Sequence, residues 1–453
     1  EGLDECEADL GHAVGPPPSL LRGRDFVADT NFVNKEGRHL VSTVKPCRRQ
    51  YWSTVNQAGQ ESMQPRPPCS VIVIGSGIVG AATAYFLNAR GVAVRLLDAS
   101  APAAEATGAA DGAVSVASKR PGPMMTAALK GVALYGELTD MGLFAGAFKR
   151  RSTFIVAASD EECTVLEAHS AALASAGVKV ETLAGSRLRQ MFPALSENAR
   201  MAVEVHGEGH AIGYQIVHRL LTASGIVVER DTEVKTVRLA DGGHRIAAVE
   251  TNRGSFSADK VVITAGTGSA ALLGFSNVLT PRKGQLLVTE RAPGLNASMP
   301  GAIMSGRYLL SKGSQKAGHA PPPRGLGLVI DPLVTGQFLI GGTREDFGKR
   351  ETNDIDAVSR ILADAVALIP DLARLRLLRS FAGVRTAVVD GLPLIGRLPD
   401  LENGFVATGF EGDGICLGPI TGKAIAQLIC GEAPALDLSS FDPARFAGRG
   451  ITA

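Results

Sequence analysis

Residues 71–80 read VIVIGSGIVG, four apolar residues running straight into Gly75, Ser76, Gly77, Ile78, Val79 and Gly80. Val71–Ile74 is β-branched and apolar on both faces, the pattern of a buried parallel strand. Ala81–Arg90 (AATAYFLNAR) predicts a helix, stopped by Gly91. Val92–Leu97 predicts a second strand that ends at Asp98. A β-α-β unit of about 30 residues with an acid at its second strand end is a dinucleotide fingerprint. Gly75 allows the tight turn, Gly77 lets the backbone approach a pyrophosphate, and Gly80 permits close helix–strand packing. Ile78 and Val79 complete the turn as candidate cofactor contacts, and the N-terminus of the helix that follows offers unpaired N–H groups and a partial positive charge to a phosphate. Asp98 can accept hydrogen bonds from a ribose hydroxyl pair. The bland alternative is a Gly-rich turn in an ordinary α/β protein.

Composition narrows the classes. The chain has 453 residues, enough for two or three domains and a large core. A hydrophobic fraction of 45% and a charged fraction of 20% are ordinary for a globular enzyme. A formal net charge of +1 gives no reason to expect nucleic acid or an anionic membrane surface as partner. A single Trp and 5% aromatic residues argue against stacking on bases. No apolar run reaches the roughly 18 residues that span a bilayer. Cys6, Cys47, Cys69, Cys163, Cys416 and Cys430 show no CxxC spacing and no zinc spacing to a His, so they are expected to be reduced thiols in a cytoplasmic protein. His206 and His210, in VEVHGEGHAIG, could share a metal only on a helix, and the glycines between them predict a solvated loop instead.

Residues 1–66 are rich in Pro, Gly and charge and lack periodicity. They carry no basic stretch followed by an apolar core, so a secretory signal is not expected. A flexible extension, a partner-binding arm and translated sequence upstream of the true start all remain open, and no chemistry is assigned to the segment. From Cys69 the chain reads as an α/β protein. Helical patterns fall at Met124–Leu138, Glu161–Ala176, Ile216–Ser224, Ala357–Ile369 and Thr421–Cys430. Strand patterns fall at Ser152–Ala157, Gly225–Glu229, Ala247–Thr251, Lys260–Thr264, Gln285–Glu290 and Phe338–Gly341. The strand ending in TAGTGSA (264–270) repeats the logic of a strand that stops at a Gly-rich turn.

Three stretches taken together carry a family resemblance: the fingerprint 75–80, VVITAGTGSA (261–270) and DGLPLIG…GFEGDGICLGPITGKAIAQLI (390–429). From Cys69 to its end the chain resembles the FAD-dependent D-amino-acid oxidase family, which includes glycine oxidase, sarcosine oxidase and the flavin subunits of dye-linked amino-acid dehydrogenases. Further stretches, ADGAVSVASKRPGP (110–123), PRKGQLLVTE (281–290), FLIGGTREDFG (338–348) and GFEGDGICLGP (409–419), are similar to a narrower group. That group holds the flavin subunits of hydrogen cyanide synthase, octopine or nopaline oxidase, and D-hydroxyproline or L-proline dehydrogenase.

The resemblance implies an α/β (α+β overall) architecture, a Rossmann-type FAD-binding domain interleaved with a mixed-sheet substrate domain. The FAD domain is expected over 69–115, 200–282 and 380–445, and the substrate domain over 116–199 and 283–379. The implied reaction oxidises the C–N bond of an amino acid or secondary amine, with hydride passing from Cα to flavin N5 and the imine hydrolysing afterwards. The implied partners are a second flavoprotein and a small iron–sulfur protein; this chain lacks the clustered cysteines of an iron–sulfur centre. FAD is implied, and FMN at a subunit interface stays open. Covalent flavin attachment in relatives uses a Cys whose place here is Gly383, which implies non-covalent FAD. Leu339 stands where oxidases carry a Lys thought to promote reaction with oxygen, which leans toward a dehydrogenase. Val388-Val389-Asp390-Gly391 and DPLVTG (331–336) depart from the family pattern.

The resemblance also assigns residues. Arg385, in AGVRTAVVDG, falls where relatives carry the Arg that binds the substrate carboxylate, and a guanidinium matches a carboxylate bidentately. Sarcosine oxidases use a Lys where this chain has Cys416. Tyr308, in SGRYLLSK, matches a segment that covers the substrate. Ala110, Asp111 and Gly112 match a segment along the adenosine and isoalloxazine, with Ser118 and Lys119 following; Lys119 is either a phosphate contact or solvated. Ala265 and Gly266 belong to the second Gly-rich turn. Gly412, Asp413, Gly414 and Ile415 precede a helix expected to begin near Pro419–Thr421, and its N-terminus would stabilise negative charge on reduced flavin. Asp413 either caps that helix or contacts flavin. Arg344 is expected to be structural, paired to Glu345 or a nearby acid. Two other functions stay open: an NAD(P) enzyme, because the fingerprint alone does not choose the nucleotide, and a non-catalytic assembly subunit that keeps the FAD fold.

Overall fold

The structure is a computed structural model that describes residues 69–314, 324–346 and 349–447. The expected extension over 1–66 lies outside the described residues. The fingerprint strand, Ser70–Ile74, sits at the centre of a six-stranded sheet. Lys260–Ile263 and Ala93–Leu97 flank it in parallel, and Gly404–Thr408 and Val228–Glu229 follow outward, also parallel. Leu394–Arg397 closes one edge antiparallel. Strands buried on both faces need helices on both sides, and a run as apolar as 71–74 meets that condition only in such a sheet.

The second large sheet has eight strands in the order Leu377–Val388, Leu279–Thr289, Phe338–Glu345, Arg324–Pro332, Ala302–Ser305, Thr153–Ala157, Met201–Val205 and Val180–Ala184. It is mixed, as expected: Thr153–Ala157 runs parallel to Ala302–Ser305, and the other pairings are antiparallel. Met201–Val205 belongs to this sheet although it lies beyond the boundary expected at 200. Among the described residues two small three-stranded sheets complete the set, one of them joining Ala113–Val114, Gly209–Ala211 and Phe148–Arg150.

That small sheet corrects the reading of the histidines. His210 is a strand residue, buried, with Nε2 3.8 Å from Asp331. His206 lies directly after Met201–Val205 with Nδ1 3.2 Å from Glu204. His210 is therefore not in a solvated loop, because Gly209 beside it lets the strand run tight against its neighbours, whereas His206 does lie in the connecting loop, half-buried. A Cβ at Gly209 would come within 2.2 Å of the Phe148 ring.

Two further elements start earlier than the sequence suggests. Leu279–Thr289 extends through Pro281, which lies where the strand is paired to Leu377–Val388 and the other neighbour has not yet begun to pair. A proline without an N–H is tolerated at such a one-sided position. The last long helix runs Gly414–Ile429 and contains Pro419. Proline there leaves the carbonyl of Ile415 without its helical donor. The buried Tyr135 hydroxyl supplies the missing bond, donating to that oxygen at 2.8 Å.

Helix Ile78–Asn88 is buried over Ile78–Thr83 and packs between the six-stranded sheet and helix Gly414–Ile429. The two helices meet at glycines. A Cβ on Gly422 would lie 2.5 Å from the backbone nitrogen of Thr83, and one on Gly418 would lie 2.8 Å from Ile78. Substitution Gly422→Val should therefore lower stability by about 3 kcal/mol through overpacking, read as a drop in urea midpoint at unchanged slope. An unchanged midpoint would mean that the helices can separate at no cost.

Candidate active site

The site is built on the turn after the first strand. Gly75 has φ +98, and a Cβ there would lie 2.5 Å from the Thr264 carbonyl oxygen. A Cβ on Gly80 would lie 1.9 Å from the carbonyl oxygen of Gly75. The two glycines thus bring the helix start, its own strand and the end of Lys260–Ile263 into contact. A Cβ on Gly77 would meet only the Thr107 hydroxyl, at 3.3 Å, and that hydroxyl accepts from the Ile78 N–H at 3.1 Å.

A cavity of about 430 Å³ opens in front of this turn. Gly75, Gly77, Ile78 and Val79 form one wall, Ala265 and Gly266 another, and it reaches from Asp98 to Glu411 and Gly414. Asp98 is already engaged. One carboxylate oxygen accepts from the Ser76 N–H at 2.7 Å and the Ser76 hydroxyl at 2.6 Å, and the other accepts from the Ser100 N–H at 2.8 Å. A carboxylate has about four lone-pair sites, so one remains for a ribose hydroxyl.

A smaller cavity of about 80 Å³ shares Ile78, Ala106, Thr107, Glu411 and Gly414 with the first. Arg385, Asp111, Ala110, Gly412 and Ile415 line it. Arg385 projects from strand Leu377–Val388 across the face of Gly284, where a Cβ would lie 2.6 Å from its guanidinium. Its Nη1 donates to the Thr343 carbonyl at 3.3 Å. Among the described residues Arg385 has no salt-bridge partner.

Charged side chains ring this end. Glu411 accepts from Arg344, which makes a close ion pair with it, and from Arg282 at 3.2 Å. Burial alone would raise the Glu411 pKa; Arg344, Arg282 and Arg385 outweigh it and hold the carboxyl down at about 2. Arg344 is pushed above its usual value: burial pulls it down, and Tyr308 and Glu411 more than compensate. Of the two partners expected for Arg344, a nearby acid holds, in Glu411, while Glu345 is buried beside Gln285 and Arg324. The reason is strand alternation: neighbours on Phe338–Glu345 point to opposite faces.

Lys119 is neither solvated nor exposed to a phosphate. It is buried and paired with Asp413. Burial pulls its pKa down, but Asp413 and its other neighbours leave it raised. Asp413 occupies the N-cap position of Gly414–Ile429 without a capping bond from its side chain, which Lys119 holds. Tyr308 lies beside Arg344, whose Nη1 donates to its hydroxyl at 3.5 Å, and its ring covers Gly327. Tyr308, Asp413, Gly80 and Gly112 do not line either cavity. Gly112 serves packing: a Cβ there would lie 2.5 Å from the Ala211 carbonyl. Cys416 is buried, and burial pushes its thiol up to about 12, so it is a neutral packing group.

Comparison with known proteins identifies this arrangement. The family model described as "DAO: FAD dependent oxidoreductase" matches residues 70–428. The chain belongs to the DAO family. It is 27% identical to a glycine oxidase of Geobacillus kaustophilus over 393 residues, 84% of this chain and 97% of that protein. It is 26% identical to hydrogen cyanide synthase subunit HcnC of Pseudomonas aeruginosa over 425 residues, 83% of this chain and 96% of that one. The crystal structure of glycine oxidase from Geobacillus kaustophilus superposes with a TM-score of 0.72 at 25% identity, covering 84% of this chain and 100% of that one. The mixed α/β fold with FAD-binding and substrate domains is thereby established.

Membership in the DAO family implies FAD, which answers the NAD(P) alternative. The residues present fit that group. The glycine turn leaves a cradle with no side chain in front of it, and the cavity before it runs on toward Gly412, Gly414 and Ile415. Gly75–Val79 and Asp98 would hold one end of FAD, and Gly412, Gly414 and Ile415 the other. Thr107, Glu411 and Arg282 are wall or neighbouring residues that the sequence reading passed over. Glu411 stands inside GFEGDG, where the glycines carry the sequence signal.

Glu411 also sets a pH dependence. Its folded-state pKa, about 2, lies below the ordinary value of 4.5. The stability it contributes is full above pH 4.5 and is lost as the pH falls toward 2. With a quarter of the side chain exposed, 26%, the contribution is about 2 kcal/mol. The gap in urea midpoint between the native chain and Glu411→Gln should narrow between about pH 5 and about pH 3. A constant gap would show that the carboxylate charge does no work there.

Proposed function

We propose that this chain is an FAD-dependent oxidoreductase that oxidises the C–N bond of an amino acid or secondary amine, working as a dehydrogenase-type subunit of a hetero-oligomer. The observation that carries the reading is Arg385: a guanidinium without a salt-bridge partner among the described residues, on the wall of a small cavity that shares five residues with the nucleotide cavity. A carboxylate fits that position, since charge-assisted and bidentate bonds to Arg are the strong ones. FAD, when bound, supplies the two-electron acceptor. The chain's part is to grip the carboxylate through Arg385, to orient Cα by that grip, and to keep the amine away from bulk water. Asp111 and Glu411 lie on the same cavity wall.

Several observations support the finer parts. A side chain at Gly383 would meet Ala109 within 2.6 Å, which favours non-covalent FAD. The dehydrogenase reading is proposed on Leu339, which is buried in the sheet and lines neither cavity. HcnC, a subunit by name, supports a place in a multi-subunit assembly, for which a second flavoprotein and an iron–sulfur protein are the partners proposed. FMN finds no support in the comparisons and forms no part of the proposal. No helix among the described residues is long and apolar enough to cross a membrane. Cys69, Cys163, Cys416 and Cys430 are free thiols, which supports a reducing, cytoplasmic setting.

The test is anaerobic titration of the FAD-loaded chain with glycine, L-proline, D-hydroxyproline and octopine in turn, followed by flavin absorbance. One of them should bleach the flavin, and Arg385→Met should raise its apparent Kd about 100-fold, the loss of a charged bidentate contact. Gly284→Ala should weaken binding in the same direction by displacing the guanidinium. Full activity in Arg385→Met would sink the assignment. A bound flavin that no amine reduces would favour the non-catalytic assembly subunit.

A further inference from the structure

Three guanidiniums gather at the mouth of the small cavity, and one carboxylate of its wall holds two of them. Arg282 stands directly opposite Arg385 across the antiparallel pair Leu279–Thr289 and Leu377–Val388. Like charges so placed repel. Asp346 takes Arg282 through two bonds, at 2.5 and 3.2 Å, and Glu411 bridges Arg282 and Arg344 through a single oxygen. Arg385 is left with a carbonyl. Among the described residues the guanidinium without a carboxylate is the one that lines the cavity, and the wall also carries Asp111, whose Oδ1 accepts from the Ala113 N–H at 3.1 Å. Glu411 lines it too, with a left-handed backbone, φ +48, that a residue with a side chain rarely adopts.

We infer that Glu411 is a specificity-determining residue that restricts the substrate to one carboxylate. The inference rests on the reading of Arg385 as carboxylate anchor. A monocarboxylic amino acid pairs with Arg385, the guanidinium that meets only a carbonyl. A second carboxylate on the same molecule enters a cavity whose wall already carries Glu411 and Asp111, and the other two guanidiniums are committed to Glu411 and Asp346. Like charges in a partly buried site repel far more than in water. Glu411 therefore fills, from within the chain, the position that a second substrate carboxylate would need.

The test uses the FAD-loaded full chain and two ethers that cannot be oxidised as amines: methoxyacetate and diglycolate, which differ by one carboxylate. Each is titrated and its binding read from the perturbation of flavin absorbance. The native chain should bind methoxyacetate at least tenfold more tightly than diglycolate. Glu411→Gln, close in shape and without the charge, should cut that preference at least tenfold, mainly by tightening diglycolate. Equal affinity for the two ethers in the native chain overturns the inference, and this comparison needs no variant to fold. An unchanged preference in Glu411→Gln overturns it as well, while loss of both ethers in Arg385→Met leaves the anchor standing. Methoxyacetate binding that survives Arg385→Met overturns the anchor and this inference with it, and so does a native chain that binds neither ether.

Discussion

The carbonyl oxygen of Gly75 has no room in front of it. It lies where the Cβ of residue 80 would stand, and the Thr264 hydroxyl hydrogen-bonds to it at 3.0 Å. This one close approach fixes the angle at which helix Ile78–Asn88 leaves its strand, and so where the helix N-terminus points. It also ties the first crossover to the far strand Lys260–Ile263, so the cradle is assembled from segments distant in sequence. The cavity in front of it, the placement of Thr107 against the helix end, and the packing of helix Gly414–Ile429 behind it follow from that contact. A core this close-packed does not deform by small amounts.

The opposite end of the site is governed by charge rather than by close contact. A helix N-terminus carries a partial positive charge, and Gly414–Ile429 presents its own to the cavity with two acids, Glu411 and Asp413, just before it. Each acid is claimed by a cation from elsewhere in the chain: Arg344 from the eight-stranded sheet and Lys119 from the loop after Ala113–Val114. Unpaired, either member of the buried pair would cost several kcal/mol. Paired, they lock the loop before the helix and leave the helix end's field largely intact.

Legibility in the sequence followed the range of the interactions. The strand–turn–helix at 70–88 was readable because its signal is local: an apolar run, glycines at fixed spacing and a stopping residue. The mixed sheet and the family were readable from motif order. Leu377–Val388 was not, since Arg379, Gly383 and Arg385 interrupt its apolar character; Gly383 and Arg385 do so because they form part of the site wall. The start of Gly414–Ile429 was misplaced because Pro419 ordinarily marks a boundary, and its compensation comes from Tyr135, far away in sequence. The partners of Arg344, Lys119 and Asp413 were equally out of reach. Which acid meets which base depends on how the two large sheets are set together, and no local pattern encodes that.

The burial of helix Ile78–Asn88 has a consequence for how the chain is made. Its residues are apolar almost all round, and a helix of that kind is stable only when enclosed. One enclosing partner is Gly414–Ile429, and the strand beside its own sheet neighbour, Gly404–Thr408, comes from the same late segment. At ribosomal rates of about 5–20 residues per second, the helix emerges roughly 20 to 60 seconds before the residues that cover it. During that interval the nucleotide cradle lacks its back wall, and a sticky surface waits in the open. The chain therefore depends on being held apart from its neighbours while it is synthesised, a demand set by topology and not by the chemistry of the finished site.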